Sequence, residues 1–300
     1  MRVENPHVDS NSYPWINPVG GLGDMLMVSS VLKQVYDRDP AKRYNLVKRT
    51  RYLTFLQDHP AIATRGFPAK GAHIVGVDYW SMEKLGAGSR RAFQVLARAF
   101  GLPTPVEERL YIPGEIPEDI LLTNFVPWKG LNIAIAPSSD SRRKITHPSI
   151  WHRIADLLLA GGYFVVQVGR GRDVHIRNTY SLLGLTTPRE LIRVLKKVDA
   201  VITADSFLMH AAHLVGIPTV AIWGASHHQI YGYSEQFHIQ VAKTYELGMA
   251  EECLGPDHRD KGRLYGTPCP MGDRHCLFQI KPEEVYEAIP IVLCSHSSRS

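Results

Sequence analysis

Four stretches of this chain combine residue types and spacings that could do chemistry. The first is Gly20-Gly21-Leu22-Gly23-Asp24. Glycines let backbone approach a ligand closely, and amides that open a helix carry partial positive charge suited to an anion, which makes Gly21 and Gly23 candidate binding positions. Asp24 could cap that helix or act as a general base at the mouth of a cleft, and the spacing leaves both roles open. A dinucleotide fingerprint would need a small residue three positions after Gly23, where Leu26 stands. No Gly-Lys-Ser/Thr follows either, so a nicotinamide cofactor and a Walker loop are both disfavoured.

The second stretch is Ser138 to His147, a polar loop that follows an apolar run and carries Arg142, Arg143 and Lys144 in succession. Cations at the carboxyl end of a parallel strand suit phosphate, while a charge run can also be a solvated loop. The third is Ala204 to Ala212, where Asp205-Ser206 opens a helix whose first amides, over Ser206, Phe207, Leu208 and Met209, could hold phosphate. A plain cap by Asp205 or Ser206 is the simpler alternative, and His210 alone would more often be a core histidine than a ligand. The fourth stretch is the tail with Cys253, Cys269 and Cys276, near His258 and His275. Thiolates and imidazoles suit structural zinc or iron, yet paired CxxC spacings are missing and free thiols remain the alternative.

These residues need strands and helices to hold them. Strand-length apolar runs alternate with helical patterns, which is the sign of parallel sheets covered by helices in an α/β fold. In the second half, strands are predicted over 131–136, 163–168, 200–203 and 219–223, with helices over 150–159, 187–197 and 208–214. In the first half, strands are predicted over 15–17, 44–48 and 73–77, and helices over 24–37 and 89–100. The Pro-rich, acidic stretch from Pro103 to Trp128 reads as a linker, which divides the chain near residue 125 into domains of residues 1–125 and 126–300. After Ser226 the periodicity fades into a loop-rich tail that ends in a short helix over 282–288.

Composition sets outer bounds. A chain of 300 residues can hold two cores of ordinary size. No window approaches an apolar membrane span, and the first residues lack the cationic start and apolar core of a secretory signal, so the cytoplasm is the expected setting. The net charge of +5 suits a phosphorylated substrate, an anionic acceptor, a membrane surface touched peripherally, or nucleic acid. All four cysteines lie in the last fifth of the chain, which argues against a disulfide framework.

The order of motifs resembles glycosyltransferase family 9, the bacterial heptosyltransferases of lipopolysaccharide core synthesis. The resemblance rests on GGLGDMLMVSSVLKQV, on IAIAPSSDSRRKITHPSIWHRIADLL and on GLTTPRELIRVLKKVDAVITADSFLMHAAHLVGIPTVAIWGAS, and covers about half the chain. It implies a GT-B fold, two facing Rossmann-like domains with a central cleft. It also implies inverting transfer of a heptose or other sugar from a nucleotide-diphosphate donor to a hydroxyl on a glycan, a protein or a modified nucleobase. Asp24 would then be the general base and Lys144, helped by Arg142 or Arg143, would neutralise the departing diphosphate. Gly21, Gly23, Ser138, Asp205 and the helix start from Ser206 to His210 would hold the donor, with Gly169 and Arg170 bordering base and ribose. No cofactor would be required, since lysine and helix dipole supply the electrostatics of a metal. Phe207 stands where the family has glycine, Arg170 and Arg172 occupy a loop where it often has a ribose-binding acid, and His147-Pro148 replaces Trp-Pro. A nucleotide-sugar epimerase and a non-catalytic nucleotide-sugar or glycan-binding protein are the alternatives.

Overall fold

The computed structural model describes residues 13–50, 52–77, 91–116, 129–141, 144–224, 226–241 and 275–297. Arg142, Arg143, Cys253, Cys269 and the expected boundary near residue 125 lie outside them, as does the side chain of Cys276. The chain divides into two compact units, Met1–Glu115 and Ile116–Ser300.

The first unit is a four-stranded parallel sheet, β1 (Trp15–Pro18), β2 (Tyr44–Val47), β3 (Ile62–Gly66) and β4 (Ile74–Val77), in the order β3-β2-β1-β4. Helix α1 (Leu22–Arg38) buries Met25, Val28, Leu32 and Val35 at helical spacing and packs on α2 (Ala92–Ala99). Two buried serines on α1 do a different job. Ser29 Oγ donates to the Tyr111 carbonyl at 3.1 Å, and Ser30 Oγ accepts from the Tyr111 amide at 2.8 Å. Gln94 pairs in the same two-way manner with Val106, at 2.8 and 2.9 Å. The stretch expected to begin a linker at Pro103 is therefore fastened to the first unit, because its backbone groups are satisfied by side chains of α1 and α2.

His59 ties another loop to α1. Its Nδ1 accepts from the Ala61 amide at 3.1 Å, which leaves Nε2–H to donate to the Ser29 carbonyl at 2.8 Å. Both ring nitrogens are used in the neutral form, and burial holds the pKa down near about 4.

The second unit is a six-stranded parallel sheet. It comprises β5 (Asn132–Ala136), β6 (Phe164–Gln167), β7 (Tyr180–Ser181), β8 (Ala200–Ala204), β9 (Thr219–Trp223) and β10 (Phe237–Gln240), in the order β10-β9-β8-β5-β6-β7. Strands β5, β8 and β9 are buried along their whole length, as strands covered on both faces must be. The covering helices are α3 (Pro148–Ala160), α4 (Pro188–Leu195), α5 (Phe207–Val215), α6 (His228–Tyr231) and α7 (Pro282–Ser297). Their starts follow capping chemistry: Thr187 and Glu190 form a reciprocal box on α4, and Ser206 caps α5, which ends at Gly216 in the left-handed region. Trp151, Ile154 and Leu158 of α3 join Val285, Ile289 and Val292 of α7 in one core with β5, β8 and β9.

Three strands and one short helix escape the periodicity argument. β3 (IATRG) and β10 (FHIQ) mix polar with apolar residues because they are edge strands, and β7 has only two residues. α6 is a single turn. α7 runs past the expected end at residue 288 and through Pro290. No helix among the described residues is long and apolar enough to cross a membrane.

The depressed pKa of His59 has a thermodynamic consequence. The unfolded chain takes up this proton below about 6.5 and the folded one only near about 4, so stability is complete above the former value and falls between them. At pH 5 the loss attributable to His59 should be roughly 2 kcal/mol. Urea denaturation at pH 7.5 and 5.0 should show this fall in the wild type and a smaller one in His59→Gln. Equal pH dependence in the two would contradict the assignment.

Candidate functional site

Strand β5 is the first strand of its unit, and the chain continues to β6 on one side and later to β8 on the other. The crevice outside the carboxyl ends of β5 and β8 is thus a topological switch point, where open parallel sheets bind ligands. The loop after β5 supplies Lys144 and the end of β8 supplies Asp205, and their side chains meet at 2.7 Å. Asp205 is 6% exposed and Lys144 24%, so the carboxylate is enclosed while the ammonium keeps an open face. Ser226, at the end of β9, donates its hydroxyl to the same carboxylate, and Ser139 Oγ donates to the Asp205 carbonyl at 2.9 Å. Lys144 also lies 5.7 Å from the ring centre of Tyr231. Three strand ends therefore converge on one carboxylate, and the cation it holds faces outward.

Helix α5 starts beside this pair. Ser206 Oγ caps the Leu208 amide at 3.3 Å, and the Ser206 carbonyl takes the Met209 amide at 3.2 Å. The amides of Leu208 and Met209, expected to point at phosphate, have intrahelical and capping partners instead. What α5 contributes is its dipole and the hydroxyl of Ser206, which also lies 3.1 Å from Thr203 Oγ1. One turn on, His210 Nδ1 is 2.7 Å from the Tyr233 hydroxyl. Burial, opposed by Asp205, pushes the His210 pKa down to about 3, so the ring is neutral at physiological pH. His213 stacks on the Tyr233 ring with the ring centres 3.6 Å apart and holds it in place.

The loop after β6 turns at Gly169, whose φ of +152° and close approach to Asp173 exclude a side chain. Asp173 Oδ2 accepts from the Arg170 amide at 2.8 Å. The Arg170 guanidinium is shared between Asp173 at 3.1 Å, Asp140 at 2.5 Å and the Ser139 carbonyl at 3.1 Å. Arg170 therefore ties the β6 loop to the β5 loop. A cavity of about 390 Å³ opens between those loops, lined by Ser138, Thr146, Trp151 and Arg172 among others.

The first unit repeats the Gly169–Asp173 device. Gly20 has a φ of +136°, and Asp24 Oδ2 accepts from the Gly21 amide at 2.6 Å. The Gly21 amide is thus used within the turn, Gly23 is buried in the first turn of α1, and Asp24 is held at the carboxyl end of β1. Asp24 does cap its helix, reaching back from the third helical position to the Gly21 amide. Among the described residues no group of three or more His, Cys, Asp or Glu is set to hold a metal.

The pattern of glycosyltransferase family 9 (heptosyltransferase) matches residues 90–250, which is 161 of the 300 residues. The chain belongs to glycosyltransferase family 9. No curated protein sequence matches it. Among solved structures, this family 9 glycosyltransferase is similar to ADP-heptose lipopolysaccharide heptosyltransferase II of E. coli, at a TM-score of 0.62 and 16% identity over 95% of this chain and 99% of the other. A family 9 glycosyltransferase from Veillonella parvula gives a TM-score of 0.64 at 16% identity over 96% and 99%. The iron-containing dodecameric glycosyltransferase TibC of enterotoxigenic E. coli gives 0.66 at 16% identity over 96% and 77%. These likenesses establish the fold, which is GT-B, with one Rossmann-like parallel sheet in each unit.

Sequence reasoning missed several residues that meet the Lys144–Asp205 pair or support its neighbours in this glycosyltransferase. Ser226 and Tyr231 follow β9, and their signal was position alone, just beyond the carboxyl end of a buried strand. Tyr233, Asp140 and Asp173 act by holding other residues, and such partners are visible only in three dimensions.

The Lys144–Asp205 pair can be tested by itself. Lys144→Ala leaves an enclosed carboxylate without its cation and should cost about 2 kcal/mol or more, since breaking one side of a desolvated pair is strongly destabilising. Adding Asp205→Asn should recover part of that loss in chemical denaturation. Strictly additive losses would show that the two side chains are not coupled.

Proposed function

We propose that this family 9 glycosyltransferase takes its sugar, a heptose or another hexose or pentose, from a nucleotide-diphosphate donor held at the Lys144–Asp205 site. One observation carries the reading: a lysine fixed by an enclosed aspartate, with an open face, at the switch point of a parallel sheet and beside a helix start. A cation so placed attracts a diphosphate in its ground state. It attracts the leaving group more strongly, as charge develops on the departing oxygen, and such fixed electrostatics usually supply the largest catalytic term. The ADP-bearing donor seen with the related TibC is consistent with this class of ligand. We further propose that the transfer takes place in the cytoplasm.

The chemistry would be a single displacement. The acceptor oxygen attacks the anomeric carbon as its proton passes to Asp24. The bond from that carbon to the diphosphate oxygen breaks on the opposite face, and the nucleoside diphosphate departs with the bonding pair, so configuration inverts. Asp24 suits the base role because the Gly21 amide fixes one of its oxygens. Neutral His210 would add a ring beside the phosphates, oriented by Tyr233. The acceptor is a hydroxyl on a glycan, a protein or a modified nucleobase.

Asp24→Asn keeps an oxygen to cap the Gly21 amide but cannot take a proton. Turnover should fall by at least ~10²-fold while nucleoside diphosphate affinity stays within about threefold, the pattern of a lost general base. Wild-type turnover in the variant would remove Asp24 from that role.

A further inference from the structure

The stretch between β9 and β10 brings side chains to the donor site: Ser226 to the Asp205 carboxylate, Tyr231 to Lys144 and Tyr233 to His210. Its helix is the single turn α6. A connection with so little regular structure places side chains only as well as the groups that hold its backbone.

Two of those groups lie on β10. His238 and Gln240 are two residues apart on the strand and so project from one face. His238 Nδ1 accepts from Trp223 Nε1–H at 3.1 Å, which leaves Nε2–H to donate to the Tyr233 carbonyl at 2.9 Å. Its ring stacks on His228 with the ring centres 4.7 Å apart. Gln240 holds the other end of the connection. Its Nε2 donates to the Ser226 carbonyl at 3.2 Å and to the Gly224 carbonyl at 3.4 Å, while its Oε1 accepts from the His228 amide at 3.3 Å. One carboxamide therefore holds the backbone before, at and after Ser226.

We propose that Gln240 is a positioning residue for the donor diphosphate, acting through Ser226 on the Lys144–Asp205 pair. The proposal rests on the nucleotide-donor reading given above. Gln240 fixes the Ser226 backbone, the Ser226 hydroxyl donates to Asp205 Oδ2, and the same oxygen holds Lys144 Nζ at 2.7 Å. Without the first of these contacts the Ser226 backbone can shift and Asp205 loses a donor. The lysine then loses part of the fixed direction that lets it meet a diphosphate without further ordering. The far end of the connection does not share this dependence. Gln236 donates Nε2–H to the Met209 carbonyl at 2.9 Å and accepts from the Tyr233 amide at 3.3 Å, so Tyr233 stays anchored to α5 when Gln240 is altered.

The test is calorimetric binding of inorganic pyrophosphate to the full chain. Gln240→Met keeps the length of the side chain and removes its hydrogen bonds, and Gln240→Asn keeps the carboxamide but withdraws it by one methylene. Each should weaken pyrophosphate about 3- to 10-fold, the range of one hydrogen bond. Ser226→Ala should weaken it by a similar factor, and adding Gln240→Met to Ser226→Ala should bring no further loss, because both changes break one chain of contacts. A role in stability alone would lower the melting temperature and leave the affinity at its wild-type value. Wild-type affinity in both Gln240 variants, wild-type affinity in Ser226→Ala, or losses that multiply in the double variant would each overturn the proposal. Lys144→Ala keeps such a failure apart from failure of the donor reading. Loss of pyrophosphate binding in that variant upholds the phosphate site whatever the Gln240 variants do, and its retention would bring down the donor reading and this inference together.

Discussion

The ion pair between Lys144 and Asp205 is the constraint on which the rest of the second unit's site depends. An aspartate enclosed to this degree is costly unless a cation and further hydrogen bonds satisfy it, and here Lys144 and Ser226 do so, while Ser139 holds the Asp205 backbone carbonyl. Lys144 and Ser139 come from the loop beyond β5, Asp205 itself from the end of β8, and Ser226 from beyond β9. The carboxylate therefore fixes the relative placement of the β5, β8 and β9 ends, and the lysine gains an orientation that a flexible side chain in water would lack. A preoriented cation loses less entropy when it meets a phosphate, which is how a structural contact becomes a binding one.

Both units solve one local problem in one way. A strand ends in a glycine with positive φ, Gly20 in the first unit and Gly169 in the second, and an acid further along, Asp24 or Asp173, accepts the amide that follows the glycine. The turn holds the acid at the carboxyl edge of the sheet. In the second unit the acid goes on to hold Arg170, whose contacts with Asp140 and Ser139 join two loops. In the first it lies at the start of α1, where the helix dipole also favours its charge.

Much of this fold was legible in the sequence because buried parallel strands and amphipathic helices announce themselves. Thr219–Trp223 was placed as observed, and the helices over 150–159 and 208–214 needed only a residue or two at their ends. The edges were not legible: β3 and β10 carry Arg65 and His238 among their apolar residues, since an edge strand need not be apolar throughout. Lys144 and Asp205 stood out as charges that follow strands, and the structure brings these two together. The sequence was misleading where a helix start implied open amides, because Ser206 serves as the cap and takes the Leu208 amide. Arg170 read as a residue bordering the donor, and the structure adds what could not be read, that it ties together Asp140, Asp173 and Ser139. The hold of Gln240 on the Ser226 backbone could not be read at all, since pairing is a property of the folded neighbourhood.

The central claim is that Lys144 and its surroundings form a diphosphate site, and thermal denaturation of the wild-type chain with nucleoside mono- and diphosphates tests it most directly. A ligand present at 100 times its dissociation constant stabilises the folded state by ~2.7 kcal/mol. The account expects a clear rise in melting temperature with at least one nucleoside diphosphate and a much smaller rise with the matching monophosphate. No rise with any diphosphate, or equal rises with both forms, would contradict it.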